Sequence, residues 1–382
     1  MKISIIIPTH NRSYSLKRTI DSITPLKDEA EFELVIVDNN STDDTREVVE
    51  SYSDIAKYVF ERNTSFTKAR GTGAQNSTGD ILLYLDDDVV VIKGALAEII
   101  SVFGEYPDCG LLAGKILPEY EAEPPDWTLA CQKNFNGWSM YNPEVYDHLD
   151  IGFQKTQWAA GPMMAIRREA YDRAGGFPPD TVGVETNLQT RMFKKLYIGP
   201  GDYGLCQRIR EEGYNVYYSP DCSCKHVVLE MRLTVQFWRS RMIGEGHHHA
   251  VTNREFHQMS KFKLMKARNS MNKHYKRWTR RLLKRLSENA EYLVRNNFKG
   301  MLFEELWVHY YSAYLDMDTV LKNHSYLSSY LWKLASDGVT SEDYEKVIRE
   351  LPDDYLNLID VDKMYAEKPL NSAEDMKLFG FC

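Results

Sequence analysis

Cysteine is scarce in this 382-residue chain, with six residues at 109, 131, 206, 222, 224 and 382 and no regular spacing. That excludes a disulfide scaffold, and Cys222-x-Cys224 lacks a second pair at zinc spacing. Buried thiols in a reducing compartment are the expectation. Apolar runs are short. None approaches the roughly 20 residues of a membrane-spanning helix, and residues 1–8 hold too small an apolar core for a secretory signal, so the chain reads as cytoplasmic. Positive charge is not in excess: the formal net charge is −8, which argues against bulk nucleic-acid binding. After the first apolar run there is no Gly-rich, Lys- or Arg-bearing phosphate loop, only Pro8-Thr9-His10-Asn11. What remains is the composition of a soluble globular protein, 43% hydrophobic and 27% charged, long enough for one large domain plus a smaller one.

The stretch most specific in its chemistry is 81–91, where an apolar run ends in Asp86-Asp87-Asp88 and a second apolar run follows. Continuous hydrophobicity over 81–85 predicts a strand covered on both faces. Ligands of open α/β sheets sit beyond the carboxyl ends of such strands. Three adjacent carboxylates repel one another, so they read either as a solvated acidic turn or as oxygen ligands for Mg²⁺ or Mn²⁺ beside a phosphate. Around this stretch, strands are predicted at 3–7 (stopped by Pro8), 32–37 and 56–60, with helices at 13–23, 42–52 and 67–77. This βαβ rhythm predicts a parallel sheet with its polar turns along one edge, bringing Thr9, Asn11, Asp38 and the aspartates into one crevice. Further on, the pattern gives a helix at 93–103, a strand at 110–116, an irregular excursion at 117–157 and strand character at 158–166. A short helix from Arg167 is ended by Gly175-Gly176. A loop at 178–201, a helix at 205–212 and a strand at 214–218 follow, then His226.

Taken together, Ser4-Ile5-Ile6-Ile7-Pro8-Thr9-His10-Asn11-Arg12, Val35-Ile36-Val37-Asp38-Asn39-Asn40-Ser41-Thr42-Asp43, Lys68-Ala69-Arg70, Leu85-Asp86-Asp87-Asp88, Gly161, Arg167, Gly175-Gly176-Phe177, Gly201-Asp202-Tyr203 and His226 resemble the family 2 glycosyltransferases over about residues 1–228. The resemblance implies a GT-A fold: a Rossmann-like mixed, mainly parallel sheet flanked by helices. It implies a nucleotide-sugar donor, UDP-linked, and a metal cofactor, Mn²⁺ or Mg²⁺. It places Pro8, Thr9, Asn11, Arg12, Asp38, Asn40, Arg70, Asp86 and Asp87 at the nucleotide sugar, Asp88 and His226 at the metal, and Asp202 as general base. Trp158, Gly161, Gly175, Gly176 and Phe177 would shape the sugar and acceptor pocket. The sequence departs from the family where an acid usually precedes Asp202 and another follows two positions later; here stand Gly201 and Gly204. Gly71 replaces a usual Asn, and Ser240 stands where the Gln-x-x-Arg-Trp signature of processive synthases would put Trp.

Each residue also has a plainer reading. Asp38 or Asp202 reads equally as a helix cap, Arg70 as a surface charge, His226 as a packed histidine and Gly175-Gly176 as a helix stop. Residues 231–382 read as a mostly helical region after a catalytic domain at 1–230, itself divided into a nucleotide-sugar half, 1–116, and an acceptor half, 117–230. Within the helical region, 244–249 reads as an interruption, a lid or a solvated turn carrying three histidines. Residues 261–285 hold eleven Lys or Arg and no acid, with Met271, Tyr275, Trp278, Leu282 and Leu286 at helical spacing. This basic amphipathic helix either packs on the catalytic domain or lies on anionic lipid at the inner membrane face. The acidic C-terminal stretch is placed to neutralise it. The function read from all this is an inverting, single-addition hexosyltransferase acting on a glycan or lipid-linked glycan. A nucleotidyltransferase and a non-catalytic nucleotide-sugar binder are the alternatives, and no feature marks an oligomer interface.

Overall fold

The computed structural model describes residues 1–125, 127–128, 152–182, 196–197, 200–288 and 299–355. Its first half is a strand–helix alternation: β1 (Ile3–Thr9), α1 (Ser13–Ile23), β2 (Phe32–Asp38), α2 (Thr45–Glu50), β3 (Ala56–Phe60), α3 (Phe66–Gln75), β4 (Ile81–Leu85), β5 (Val89–Val91) and α4 (Ala95–Glu105). Then come β6 (Cys109–Tyr120), β7 (Gln154–Thr156), β8 (Met163–Arg167), α5 (Arg168–Arg173), the short pair β9 (Thr181–Val182) and β10 (Leu196–Tyr197), α6 (Gly201–Glu211) and β11 (Asn215–Val228).

The main sheet runs β3-β2-β1-β4-β8-β6-β11-β5, with β7 also on β11. Its first four strands are parallel, as are β6 and β11, while β8 runs antiparallel between β4 and β6. The architecture is thus the mixed sheet expected, flanked by helices and followed by a helical region. Alternation along β1 and β4 divides the core. Ile3, Ile5, Ile7, Ile81, Leu83 and Leu85 face α1 and α4, whose Leu16, Ile20, Leu96 and Ile99 cover them. Ile6, Leu82 and Tyr84 face the other way, onto Ala69 of α3 and Leu205 and Ile209 of α6. Burial on both faces makes these strands read as nearly unbroken apolar runs.

Several boundaries differ from the sequence reading. Pro8 does not stop β1, because its ring sits in the strand opposite Val37 and Thr9 still pairs with Asp38. Residues 117–120 belong to β6 rather than to a loop. Residues 158–162 precede β8 instead of forming it. β11 runs to Val228, with an irregularity between Ser219 and Ser223 that lets it pair with both β6 and β5. Trp138 and most of the 117–157 and 178–201 excursions lie outside the described residues.

Among the described residues, the C-terminal region holds five helices: α7 (Val235–Glu255), α8 (Lys261–Glu288), α9 (Lys299–Asn323), α10 (Leu327–Asp337) and α11 (Ser341–Glu350). The 244–249 segment does not interrupt α7, in contrast to the sequence reading. Gly246 serves packing: a Cβ there would stand 2.4 Å from Tyr310 O and 2.9 Å from Tyr314 N of α9. Met271, Tyr275 and Trp278 of α8 lie against a cluster built mainly by α7 and α9 that also takes in Val228 of β11, with Trp278 stacked on Trp307 at 6.1 Å. The Leu286 side chain and the acidic stretch after 355 lie outside the described residues. The region docks on the sheet domain beside α3. There Thr64 N donates to Val339 O (2.7 Å) and Ser65 Oγ to Ala335 O (2.9 Å). Gly246→Leu is expected to wedge α7 from α9 and cost about 3 kcal/mol, read as a lowered urea midpoint.

Candidate functional site

The acidic turn is not solvated. Asp87 and Asp88 are 6% and 5% exposed, held where β4 ends between β1 and the β5–β11 pair. Thr9 Oγ1 donates to Asp87 Oδ2 (2.7 Å), and Arg12 Nη1 donates to Asp87 Oδ1 (3.0 Å) and Asp88 Oδ2 (2.7 Å). β11 sets His226 opposite Val89, which brings His226 Nε2 to 3.1 Å from Asp88 Oδ1. His226 is therefore packed, at 1% exposure, and part of the acidic cluster as well. Burial raises the Asp86 carboxyl to about 6 and also pushes Asp87 up, despite Arg70 and Arg12 respectively. Burial acts on Asp88 in the same sense, but His226 and Arg12 outweigh it and hold that group below the usual carboxylate range. Arg12 is raised, chiefly by Asp87.

Whether these residues suit a divalent cation can be tested on their unused atoms. Asp86 Oδ1 and Asp88 Oδ1 are buried and lack a well-formed hydrogen bond among the described residues. Their nearest partners are Arg70 Nη2 at 3.7 Å and His226 Nε2 at 3.1 Å, which leaves carboxylate oxygens incompletely satisfied. With His226 they offer three ligand atoms within 4.8 Å of one another. Two hard oxygens and an imidazole nitrogen fit Mn²⁺ or Mg²⁺. Asp87 is spent on Thr9 and Arg12 and stays outside the trio. A second convergent group, Glu245, His248 and His249, lies on α7 and leaves His247 out. There Glu245 is already paired with Arg241 at 2.7 Å.

The neighbouring rim is built by the turns after β1 and β2. Asp38 is 3% exposed and accepts from Tyr58 OH (2.7 Å) and Ser41 N (2.8 Å). It organises the turn and does not cap α2, whose N-cap is Asp44. Asn11 and Asn40 have φ of 53° and 66°, a region asparagine tolerates better than most residues. Asn11 Oδ1 accepts from Thr42 N (2.7 Å) and Asn11 N donates to Ser41 Oγ (2.9 Å), so the two turns are tied together.

Arg70 is not a surface charge. It is 1% exposed, its guanidinium 4.0 Å from the Phe66 ring centroid and 4.7 Å from that of Phe177. Nη1 donates to Asp202 Oδ1, and Nη2 lies 3.7 Å from Asp86 Oδ1. Asp202 stands in the first turn of α6, where Pro200 is the N-cap, so its carboxylate faces Arg70 and does not cap the helix. Gly161 makes the room: a Cβ there would lie 2.5 Å from Arg70 Nη2 and 2.7 Å from Asp202 Oδ2. Gly175 and Gly176, at φ 69° and 71°, end α5 and deliver Phe177 against Arg70 and Tyr84. Trp158, half-buried, packs where the two cores meet. Asp180, which no motif flagged, faces Arg70 and Asp202 as well. The room left by Gly201 was its one signal in the sequence.

Buried acids beyond the ends of parallel strands, with a charge-paired carboxylate facing them across Arg70, mark an α/β protein suited to a charged ligand. Residues 4–175 match the model described as Glycosyl transferase family 2, and that segment belongs to the family. An O-antigen chain rhamnosyltransferase of Salmonella anatum is 25% identical over 227 residues, 58% of this chain and 65% of that protein. A glucosyl-dolichyl phosphate glucuronosyltransferase of Haloferax volcanii is 22% identical over 273 residues, 68% of this chain and 80% of that one. Among solved structures, a mannosyltransferase from Pyrobaculum calidifontis in complex with GDP-Man and Mn²⁺ aligns with a TM-score of 0.46 at 17% identity, covering 96% and 88% of the two chains.

Arg70→Met would leave Asp86 and Asp202 without their shared cation, at a cost of about 3–5 kcal/mol. The loss is expected to be smaller at about pH 5 than at about pH 8. Asp86, already raised to about 6, is protonated at the lower pH and no longer needs the cation. Urea melts at the two pH values check this.

Proposed function

We propose that this chain is an inverting, metal-dependent hexosyltransferase. It would move one sugar from a nucleotide sugar, UDP-linked, to a hydroxyl of a lipid-linked glycan during polysaccharide assembly. The observation that carries the reading is the pair of buried, incompletely satisfied oxygens of Asp86 and Asp88 converging with His226, joined to Asp202 through Arg70. In this reading Pro8, Thr9, Asn11, Asp38 and Asn40 line the base and ribose, while Arg12 and Asp87 brace the shelf beneath them. Asp86, Asp88 and His226 would hold Mn²⁺ or Mg²⁺, which when bound neutralises charge growing on the departing diphosphate. Asp202 takes the proton of the acceptor hydroxyl as its oxygen attacks, and Arg70 keeps that carboxylate aimed. Gly161, Phe177 and Trp158 shape the wall behind the sugar. One base opposite one leaving group favours inversion; a double displacement needs a second, nucleophilic carboxylate.

The name of the Haloferax relative, which acts on a dolichyl phosphate-linked sugar, supports a lipid-linked acceptor. So does α8, whose outer face exposes Lys263, Lys266, Lys273 and Lys276 next to Phe262 and Met265, 59% and 50% exposed. No helix among the described residues is long and apolar enough to cross a membrane. Contact with the inner membrane face through 261–285 would thus be peripheral.

Thermal shift with UDP and Mn²⁺ tests the metal assignment. Mn²⁺ is expected to raise the melting temperature of the wild type, and Asp88→Asn or His226→Ala to abolish that rise. Asp202→Asn should keep the rise and lose sugar transfer; if ligand binding disappears instead, Asp202 is not the base. For the surface, sedimentation with phosphatidylglycerol vesicles should carry the protein down at low salt. Lys263, Lys266, Lys273 and Lys276 changed together to Glu should leave it in the supernatant.

A further inference from the structure

Asp180 sits between Pro179 and β9, apart from the motifs discussed above. A Cβ at position 201 would stand 2.6 Å from Asp180 Oδ2 and 2.7 Å from its Cγ. The Asp180 carboxyl group therefore fills the volume that a side chain at 201 would occupy. Gly201 opens α6 with φ +43° and immediately precedes Asp202. The charged groups facing Asp180 are Asp202 on α6, Arg70 on α3, and Arg241 and Glu245 on α7. Asp180 is recessed but not sealed, with intermediate exposure, and the Asp202 side chain next to it is 26% exposed.

We propose that Asp180 supplies the second acceptor-side carboxylate, entering from the 178–182 segment into the space where position 201 has no side chain, and holds the incoming acceptor beside Asp202 by accepting from a hydroxyl next to the attacking one (in hydrolysis, from the second O–H of the water). This rests on the transferase reading above. In the step, the hydroxyl oxygen forms a bond to the anomeric carbon of the donor sugar. Its proton passes to the Asp202 carboxylate. The bond from that carbon to the diphosphate oxygen breaks, and the diphosphate leaves with the electron pair. Asp180, ionised, accepts a hydrogen bond that fixes the incoming molecule and undergoes no covalent change.

Burial pushes the Asp180 carboxyl up to about 7; Asp202 and Glu245 add to this, while Arg70 and Arg241 oppose it. Its charge therefore changes across neutrality, in two measurable ways. The rate should climb as pH rises through about 7, because the ionised form accepts the hydrogen bond. Stability should move oppositely. A carboxyl whose folded value lies above its unfolded value, about 4, costs stability that grows as pH rises from about 4 and is complete above about 7.

Water can replace the unidentified acceptor, so the assay is hydrolysis of UDP-glucose, UDP-N-acetylglucosamine and GDP-mannose with Mn²⁺, for the wild type, Asp180→Asn and Asp180→Glu. The expected result for Asp180→Asn is an unchanged thermal shift with UDP and Mn²⁺, and hydrolysis at least about tenfold slower at about pH 8. The climb through neutrality should be absent and the melting temperature above that of the wild type at the same pH. Asp180→Glu should recover part of the rate and the climb. An Asn variant with the wild-type rate and pH profile overturns the proposal. So does one that is slow but melts lower at about pH 8, since Asp180 is then only structural. A wild type that neither binds UDP nor hydrolyses any of the three donors overturns the transferase reading, and this proposal with it.

Discussion

The buried guanidinium of Arg70 is the constraint from which the site's geometry follows. It lies between the end of β4 and the head of α6, in reach of Asp86 and Asp202 and facing Asp180. A cation removed from water in this way is tolerable only when it is closely compensated. Here the compensation is two flanking aromatic faces and carboxylates from three separate segments. Because the charge must be matched, those segments cannot drift independently. The parallel half of the sheet, which carries the acid shelf, and the α5–α6 half, which carries Asp202, are fixed to each other by an electrostatic requirement as well as by packing.

The shelf remains short of positive charge. Five carboxyls (Asp86, Asp87, Asp88, Asp180 and Asp202) share the guanidiniums of Arg12 and Arg70, with Arg232 acting on Asp88 and Arg241 on Asp180 from farther out. Asp87 is satisfied by Thr9 and Arg12, so the deficit falls on Asp86 and Asp88, the residues with incompletely satisfied oxygens. The structure thereby separates three adjacent aspartates of identical chemistry. The middle one braces the shelf and the outer two converge with His226.

Much of this was legible in the sequence because burial on both faces leaves an unmistakable mark. The strands at 3–9, 32–38 and 81–85 are mostly apolar, and once they are aligned in parallel, Thr9, Asp38 and Asp86 fall along one edge. What was not legible depends on partners far away in the chain. The helical run through Gly244 and Gly246 looks like a break until Tyr310 and Tyr314 are seen to need the space. β11 hides its length behind Ser219, Cys222, Ser223 and Cys224, small residues at an irregularity that no periodicity announces. The partners that bury Arg70 were hidden because neither Asp202 nor Phe177 is near it in sequence. Asp180 was invisible for the same reason. The local signal was a glycine, and what fills its empty volume comes from twenty-one positions away.

Ser65 belongs to two structures at once. Its hydroxyl accepts from Lys68 N as the N-cap of α3, the helix that carries Arg70, and donates to Ala335 O at the end of α10. The first turn of the Arg70 helix and the C-terminal bundle are thus pinned through one oxygen atom. A displacement of that bundle, whatever its origin, is transmitted as torque on α3 at the end nearest the guanidinium. The bundle is in this sense the far arm of a lever whose near arm aims the charge at Asp202, and cutting it away would untrue the site while leaving every one of its residues in place.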